Sequence, residues 1–144
     1  SGAKKINTSA NRSKINTCLV KFMNLGRSGE DLVARHYQEQ GGVILERNYI
    51  FRRGRQSGEL DLVIRHGARL IFVEVKTRRS RRFGSAAEAV DWSKQRKLVR
   101  TAKLYLLVHR QYAALDYQFD VATVDIDNPA QPVIIIPNAI EDFD

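Results

Sequence analysis

Two short runs of alternating residues, joined by a tight turn, limit what this chain can fold into more than any other feature. In residues 59–65, Glu59 and Asp61 fall on one side and leucine and isoleucine on the other; after a turn at 66–69, residues 70–76 form a second apolar run. A side-chain period of two is that of a β-strand, and a short turn joins antiparallel neighbours. The sequence therefore predicts a β-hairpin.

Patterns on either side of the hairpin indicate the remaining elements. The predicted elements are, in order, a helix over 27–40, strands over 43–51, 59–65 and 70–76, helical segments over 86–89 and 93–109, and strands over 117–126 and 133–136. Gly41-Gly42 ends the first helix, and a basic, glycine-containing stretch at 53–58 is expected to be a loop. This order predicts an α/β fold in which a mixed five-stranded sheet is flanked by helices.

Charged residues interrupt the second strand of the hairpin. Glu74 and Lys76 share a face with Leu70 and Phe72, where a purely structural strand would carry apolar side chains. Burying such charges costs several kcal/mol unless each is paired or ligated. Across the hairpin, Asp61 is expected to lie close to Glu74, and a divalent cation between two carboxylates relieves their repulsion. Mg²⁺ or Mn²⁺ is the expected ion.

These groups are the parts that phosphodiester cleavage needs. A metal polarises the phosphate and activates water, and a cation such as Lys76 stabilises the charge that develops. On the residues alone, a second interpretation stays open. Glu74 and Lys76 would then form an ion pair on an edge strand, and Asp61 would be a solvated acid near a turn.

Net charge bears on partners and compartment. Five of the 24 basic residues and none of the 16 acidic ones lie in residues 1–22, which begin with a Ser-Gly pair typical of tag removal. We expect 1–22 to be a disordered basic tail and 23–144 to be the nuclease-like domain. Cys18 is the sole cysteine, and the chain has neither a long apolar run nor a secretory signal pattern, so we expect a cytoplasmic protein without membrane contact.

The basic residues of 23–144 are clustered, which favours a nucleic-acid partner. Arg78, Arg79, Arg81 and Arg82 directly follow Lys76, and such a cluster suits phosphate contacts. Three arginines of the preceding loop are predicted to form the other wall of the same groove: Arg52, Arg53 and Arg55. The basic residues of the long helix are interpreted as a solvated face, and Trp92 as a packing residue.

Several ordered segments resemble the YraN-type family of uncharacterised bacterial proteins. That family is similar to archaeal Holliday-junction resolvases within the PD-(D/E)XK nuclease superfamily. The resemblance spans residues 26–127. The matching segments are GRSGEDLVARHY at 26–37, GELDLVIR at 58–65, FVEVKTRR at 72–79, FG at 83–84, SKQRKLVRTAKLYL at 93–106 and FDVATVDI at 119–126.

The resemblance implies a restriction-endonuclease-like fold and assigns roles to particular residues. It implies that Asp61 and Glu74 are metal ligands and that Lys76 is the catalytic lysine; the proline of the superfamily's name is replaced by Leu60. Glu30 matches a helix acid that faces the metal site, although a solvated acid in the first helical turn explains it as well. Gln95, or Lys94 beside it, matches a polar helix position that reaches the site, the alternative being an exposed helix residue.

Three functions are compatible with these features. The first is a metal-dependent endonuclease acting on branched or structured DNA. The second is a module with a nuclease fold that binds DNA or RNA by shape without cleaving it, and the third is an adaptor that binds protein. The intact Asp61, Glu74 and Lys76 favour the first, with DNA as a more suitable partner than RNA. Resolvase-like activity on symmetric junctions would require a homodimer.

Overall fold

A computed structural model describes residues 25–78 and 90–142, with side chains described for 29–77 and 90–142. The elements are α1 (Leu25–Glu39), β1 (Val43–Arg53), β2 (Gln56–His66), β3 (Arg69–Arg78), α2 (Trp92–Val108), a 3₁₀ turn (Arg110–Tyr112), β4 (Asp116–Asp125) and β5 (Val133–Ile136). The tail at 1–22 and the helical segment predicted at 86–89 lie outside the described residues. Neither α-helix in the described part of the chain has the length and apolar character that a membrane span needs.

The five strands form one mixed sheet in the order β1-β2-β3-β4-β5. β1, β2 and β3 are antiparallel neighbours, β3 and β4 are parallel, and β5 returns antiparallel to β4. A parallel pair needs a long crossover connection, and α2 lies in the one between β3 and β4. The predicted α/β fold, with its mixed five-stranded sheet flanked by helices, is confirmed.

Each face of the sheet is covered by one helix. Phe72 of β3 packs with Tyr105 of α2 in one core cluster, while Val73 packs with Val33 of α1 in the other. All four side chains are almost completely buried. Because β3 is the middle strand, polar groups on it are enclosed from both sides and depend on partners within the protein.

The first hairpin extends further than the sequence predicted. The stretch 53–58 was expected to be a loop, but Arg53 pairs with Gln56, so only Gly54 and Arg55 form the turn. Gly54 has φ +59°, which a glycine adopts without strain at the first position of a two-residue hairpin turn. The longer pairing places Arg52 and Arg53 at the end of β1, close to the hairpin tip.

The strict alternation predicted for β2 is wrong at Asp61. Leu60 packs in the cluster under α2, whereas Leu62, two positions later, packs in the cluster under α1. The pairing of β2 with β3 begins only at Leu62, opposite Val73. Asp61 is therefore the residue at which β2 changes face, directly beyond the end of the ladder. The sequence pattern could not reveal this change of face, because leucine packs equally well in either core cluster.

Two glycines bring the helices unusually close to the sheet. A Cβ atom at Gly58 of β2 would lie 2.0 Å from Thr101 Oγ1 of α2, and one at Gly29 of α1 would lie 2.4 Å from Thr77 Oγ1 of β3. Neither position has room for a side chain. Gly58 therefore sets how closely the first hairpin approaches α2, and Gly29 sets how closely the start of α1 approaches β3.

The first prediction concerns this close approach. Gly58→Ala should lower the melting temperature by several degrees, because overpacking typically costs about 1–3 kcal/mol. In Gly58→Ala/Thr101→Ala the clashing Oγ1 and Cγ2 atoms are gone and only the contact with Cβ at 2.9 Å remains. The double variant should therefore be more stable than the sum of the single effects, as measured by a thermal-unfolding cycle. Additive losses would show that the hairpin does not depend on this contact.

Candidate active site

The site begins where β2 and β3 stop pairing. Beyond Leu62 and Val73 the two strands no longer share a backbone ladder. There the side chain of Asp61 replaces the backbone pairing. Its Oδ2 accepts a hydrogen bond of 2.9 Å from the backbone N–H of Val75. The half-buried carboxylate of Asp61 is thereby held against β3. The alternative that Asp61 is a solvated acid near a turn is wrong.

Glu74 lies beside it on the middle strand. Its side chain is 6% exposed and lies between two lysines, with Lys94 Nζ of α2 at 2.6 Å and Lys76 Nζ at 3.8 Å from Oε1. The alternative of a simple Glu74–Lys76 pair on an edge strand is also wrong, because β3 is the central strand and the nearer cation belongs to α2. The predicted face is confirmed, since Glu74 contacts α2 as Phe72 does.

Burial and a neighbouring carboxylate make Asp61 a weaker acid than a free aspartate. Burial first, and then the charge of Glu74, raise the pKa of Asp61 to about 7. The hydrogen bond from Val75 opposes this rise, while Glu30 and a hydrogen bond between Asp61 and Glu74 add to it. Two carboxyl groups share a hydrogen bond only when one carries a proton. Without a cation, Asp61 therefore gains and loses a proton near neutral pH.

The two lysines differ in how firmly they hold their protons. A hydrogen bond with Lys94 and burial lower the pKa of Lys76, and the negative charges of Glu74 and Asp61 only partly oppose this. Burial also disfavours the charged form of Lys94, but its hydrogen bonds to Glu74 and Lys76 outweigh burial and raise its pKa. Lys94 is thus the firm counter-ion of Glu74, and Lys76 is the more adjustable cation.

Glu30 of α1 faces the same site from the other side of β2. It is half-buried, hydrogen-bonds the side chain of Asn48, and contributes to the electrostatic field at Asp61. Burial, followed by the charges of Glu59 and Asp31, raises the pKa of Glu30 against the effect of that hydrogen bond. Glu30 therefore lies close enough to Asp61 to affect its charge, and the role at a metal site that the resemblance implies for Glu30 stays a prediction.

Sequence reasoning missed Asn48. It lies opposite Asp61 in the β1–β2 register, between the pairs Arg47–Leu62 and Tyr49–Leu60, and has φ +50°. This left-handed backbone conformation is uncommon for residues other than glycine, and asparagine is one of the few that adopt it readily. The available signal was an asparagine within a β-branched and aromatic run, where asparagine is uncommon.

The donor set suits a hard divalent cation. Within residues 25–78 and 90–142 no three His, Cys, Asp or Glu side chains are arranged to hold a metal ion. Mg²⁺, however, is commonly bound by one or two carboxylates and completes its shell with water and substrate phosphate. Asp61 and Glu74 provide such a pair, and their mutual repulsion is the feature that a cation would relieve.

The other predicted residues are not all brought together. Gln95 donates its side-chain N–H to the backbone carbonyl of Val90 at 2.8 Å, and it is Lys94 beside it that reaches Glu74. Arg52, Arg53 and Arg55 are exposed around the tip of the first hairpin. The side chain of Arg78 and the whole of Arg79, Arg81 and Arg82 lie outside the described residues, so the wall predicted there stays a prediction.

The chain is similar to a set of bacterial proteins. The profile of a family described as "Uncharacterised protein family UPF0102" matches residues 29–124. A UPF0102 protein of Stutzerimonas stutzeri is 41% identical over 81% of this chain and 93% of its own length. Another, from Frankia alni, is 48% identical over 69% of this chain and 79% of its own, and one from Pseudomonas aeruginosa is 39% identical over 74% and 82%.

The second prediction follows from the raised pKa of Asp61. With a folded-state value of about 7 against 3.8 for the free group, the native state binds this proton more tightly than the unfolded chain does. The resulting stabilisation is complete below about pH 4 and is lost as the pH rises to about 7. Asp61→Asn stays neutral throughout, so its melting temperature relative to wild type should increase by several degrees between pH 4 and pH 8.

The control is Asp127→Asn, which removes an exposed acid from the turn after β4. Its melting temperature should follow that of wild type across the same pH range, measured in EDTA. A constant difference between Asp61→Asn and wild type would show that Asp61 is already ionised in the native protein at pH 4.

Proposed function

The chain belongs to the uncharacterised protein family UPF0102, and from the site on its sheet we propose that it is a metal-dependent endonuclease that hydrolyses phosphodiester bonds in DNA. One observation carries the proposal. The backbone holds Asp61 beside Glu74 at the end of the β2–β3 ladder, in a partly buried position where two negative charges repel. Two carboxylates held this close repel each other, and a bound cation would relieve that repulsion; such perturbed acids are common at catalytic sites.

Asp61 and Glu74 would hold Mg²⁺ or Mn²⁺. When bound, such an ion polarises a phosphate oxygen and makes a coordinated water a better nucleophile. Lys76 projects from the same face of β3 as Glu74, and its ammonium group would stabilise the charge that develops on the phosphate. Lys94 fixes the orientation of Glu74 through its 2.6 Å contact. Glu30, whose pKa burial raises, would accept a proton from the attacking water, and its effect on the charge of Asp61 supports this role.

The proposed substrate is branched or otherwise structured DNA. Support comes from the similarity of the YraN-type family to junction resolvases and from the exposed Arg52, Arg53 and Arg55 around the tip of the first hairpin. No base-reading motif accompanies these arginines, and contacts to phosphate carry no sequence information. Recognition by the shape of the backbone is therefore the mode that fits this surface.

One observation favours a second candidate, a nucleic-acid-binding module without catalysis. Lys94 already neutralises Glu74 at 2.6 Å, so the site has an internal cation in place of a metal. In that case Asp61 would stay protonated, and the ion pair between Glu74 and Lys94 would serve only to hold β3 against α2. The two candidates differ in whether added metal binds.

The third prediction tests metal binding. Mn²⁺ or Mg²⁺ should raise the melting temperature of the wild-type protein by mass action, because binding requires the folded arrangement of Asp61 and Glu74. Asp61→Ala should abolish this shift, while Asp127→Ala should retain it. A metal-dependent shift that survives in Asp61→Ala would place the ligands elsewhere, and a wild-type protein without any shift would favour the binding module.

The fourth prediction separates binding from catalysis. Lys76→Ala should leave the affinity for DNA within a few-fold, since one phosphate contact is a small part of an extended surface, yet lower the single-turnover cleavage rate about a hundredfold or more. The assay compares single-stranded, duplex, flap and four-way DNA with RNA, each in Mg²⁺, Mn²⁺ or EDTA. Arg110→Ala, which removes a distant exposed cation, should cleave like wild type.

A clear result would contradict the endonuclease. If wild-type protein bound branched DNA but cleaved none of these substrates faster than Asp61→Ala/Glu74→Ala/Lys76→Ala, the binding module would replace it. Equal losses of binding and cleavage in Lys76→Ala would mean that the lysine holds the ground state rather than the transition state.

A further inference from the structure

A basic groove lies between the tip of the first hairpin and the exposed side of α2. Its volume is about 630 Å³. The residues that matter for the argument are Arg55 at the hairpin tip and Trp92, Arg96, Lys97, Arg100 and Thr101 of α2. At Thr101, which lines the groove, the close approach of Gly58 brings the hairpin against the helix.

The cations of the groove have no acidic partners in the described part of the chain. Among the described residues, ion pairs are formed by Arg47, Lys76, Lys94, Lys103 and His109. None of these pairs includes a cation of the groove, that is, Arg55, Arg96, Lys97 or Arg100. Arg96, Lys97 and Arg100 are exposed, as the interpretation of a solvated helix face requires, and they share one concave surface with Arg55. Four cations that converge on one concave surface repel one another, and a polyanion relieves that repulsion.

The groove starts next to the candidate active site. Ser93 lines it, and Lys94, the next residue, contacts Glu74. Lys97 is three positions after Lys94, which places their Cβ atoms roughly 5–6 Å apart on the helix surface. A polyanion with one phosphate at Glu74 and Asp61 would thus continue into the groove without leaving the protein surface.

The shape and composition of the groove favour a single strand over a duplex. Clefts of roughly 300–1,000 Å³ hold small ligands, so this one accommodates a nucleotide or two rather than the width of a double helix. Trp92 lines one side and is 57% exposed. A cationic groove with an aromatic face is the usual means of holding a single strand, with cations on the phosphates and the ring on a base.

We propose that this groove binds an unpaired DNA strand that adjoins the phosphate at Asp61 and Glu74. Arg55, Arg96, Lys97 and Arg100 contact the strand's phosphates, and Trp92 stacks on a base. If the groove guides a strand to the site for cleavage, the preferred substrate is DNA with a free strand beside the duplex, such as a flap or fork. This step rests on the proposed endonuclease function. The binding itself requires no metal and no reaction.

The test measures binding in EDTA, where no cleavage occurs. Fluorescence anisotropy of labelled oligothymidylate and of a blunt duplex is followed over a range of salt concentrations. Arg96→Ala/Arg100→Ala should flatten the dependence of log affinity on log salt for the single strand by about 1.4, since each lost contact removes about 0.7. The charge-matched control, Arg35→Ala/Arg110→Ala, removes two exposed arginines away from the groove and should leave the slope nearly unchanged.

The aromatic contact has a different signature. Trp92→Ala should weaken single-strand binding at least about fivefold with an unchanged salt slope, because it removes stacking and no charge. Trp92→Phe should retain most of the affinity. Thermal unfolding of each variant establishes that it is folded.

The outcomes distinguish the groove from the endonuclease. The proposed role of the groove is wrong if both double variants lose affinity equally or if Trp92→Ala binds as wild type does. It is also wrong if binding of the duplex depends on the same residues as strongly as binding of the single strand. Single-strand binding through the groove by a protein that never cleaves would refute the endonuclease alone. Flap cleavage that is unaffected by Arg96→Ala/Arg100→Ala would refute the groove alone.

Discussion

The hydrogen bond from Val75 to the Asp61 carboxylate is the contact on which the site depends. It satisfies a backbone N–H at the point where β2 and β3 part, and an unpaired buried donor would cost about 1–3 kcal/mol. The same bond keeps Asp61 beside Glu74, whose charge resists that position. Strand geometry thus imposes a repulsive pair, and a proton or a bound cation would relieve that repulsion.

The middle position of β3 makes this imposition possible. Both faces of the strand carry apolar side chains that pack under α1 and α2, so the strand cannot move to separate the two acids. Burial of a single large apolar side chain contributes about 1.5–3 kcal/mol, and several such residues surround the site. Lys94 offsets part of the cost of burying Glu74. The environment of Glu74 on the sheet therefore depends on where α2 packs.

Close packing at two glycines relates the site to its surroundings. The approach of Gly29 to Thr77 brings the start of α1, and with it Glu30, to the sheet, while the approach of Gly58 to Thr101 closes one side of the basic groove. Both contacts hold a helix against a strand that also carries a site residue. The carboxylates, the lysines and the groove consequently occupy one continuous region, although four different elements contribute to them.

The sequence by itself determined the elements, their order and the central acids. Periods of two and of 3.6 residues are local properties, and so are the charges of Glu74 and Lys76 that interrupt an apolar strand; these sufficed to predict the mixed sheet and to select Asp61 as a partner. Only the tertiary structure decided that Lys94 rather than Gln95 reaches Glu74, that β2 changes face at Asp61, and that α2 forms a groove with the hairpin. Each of these features depends on how two elements that are distant in sequence pack together. A local pattern indicates which side of an element is apolar, but it does not indicate which side chains of another element that side will contact.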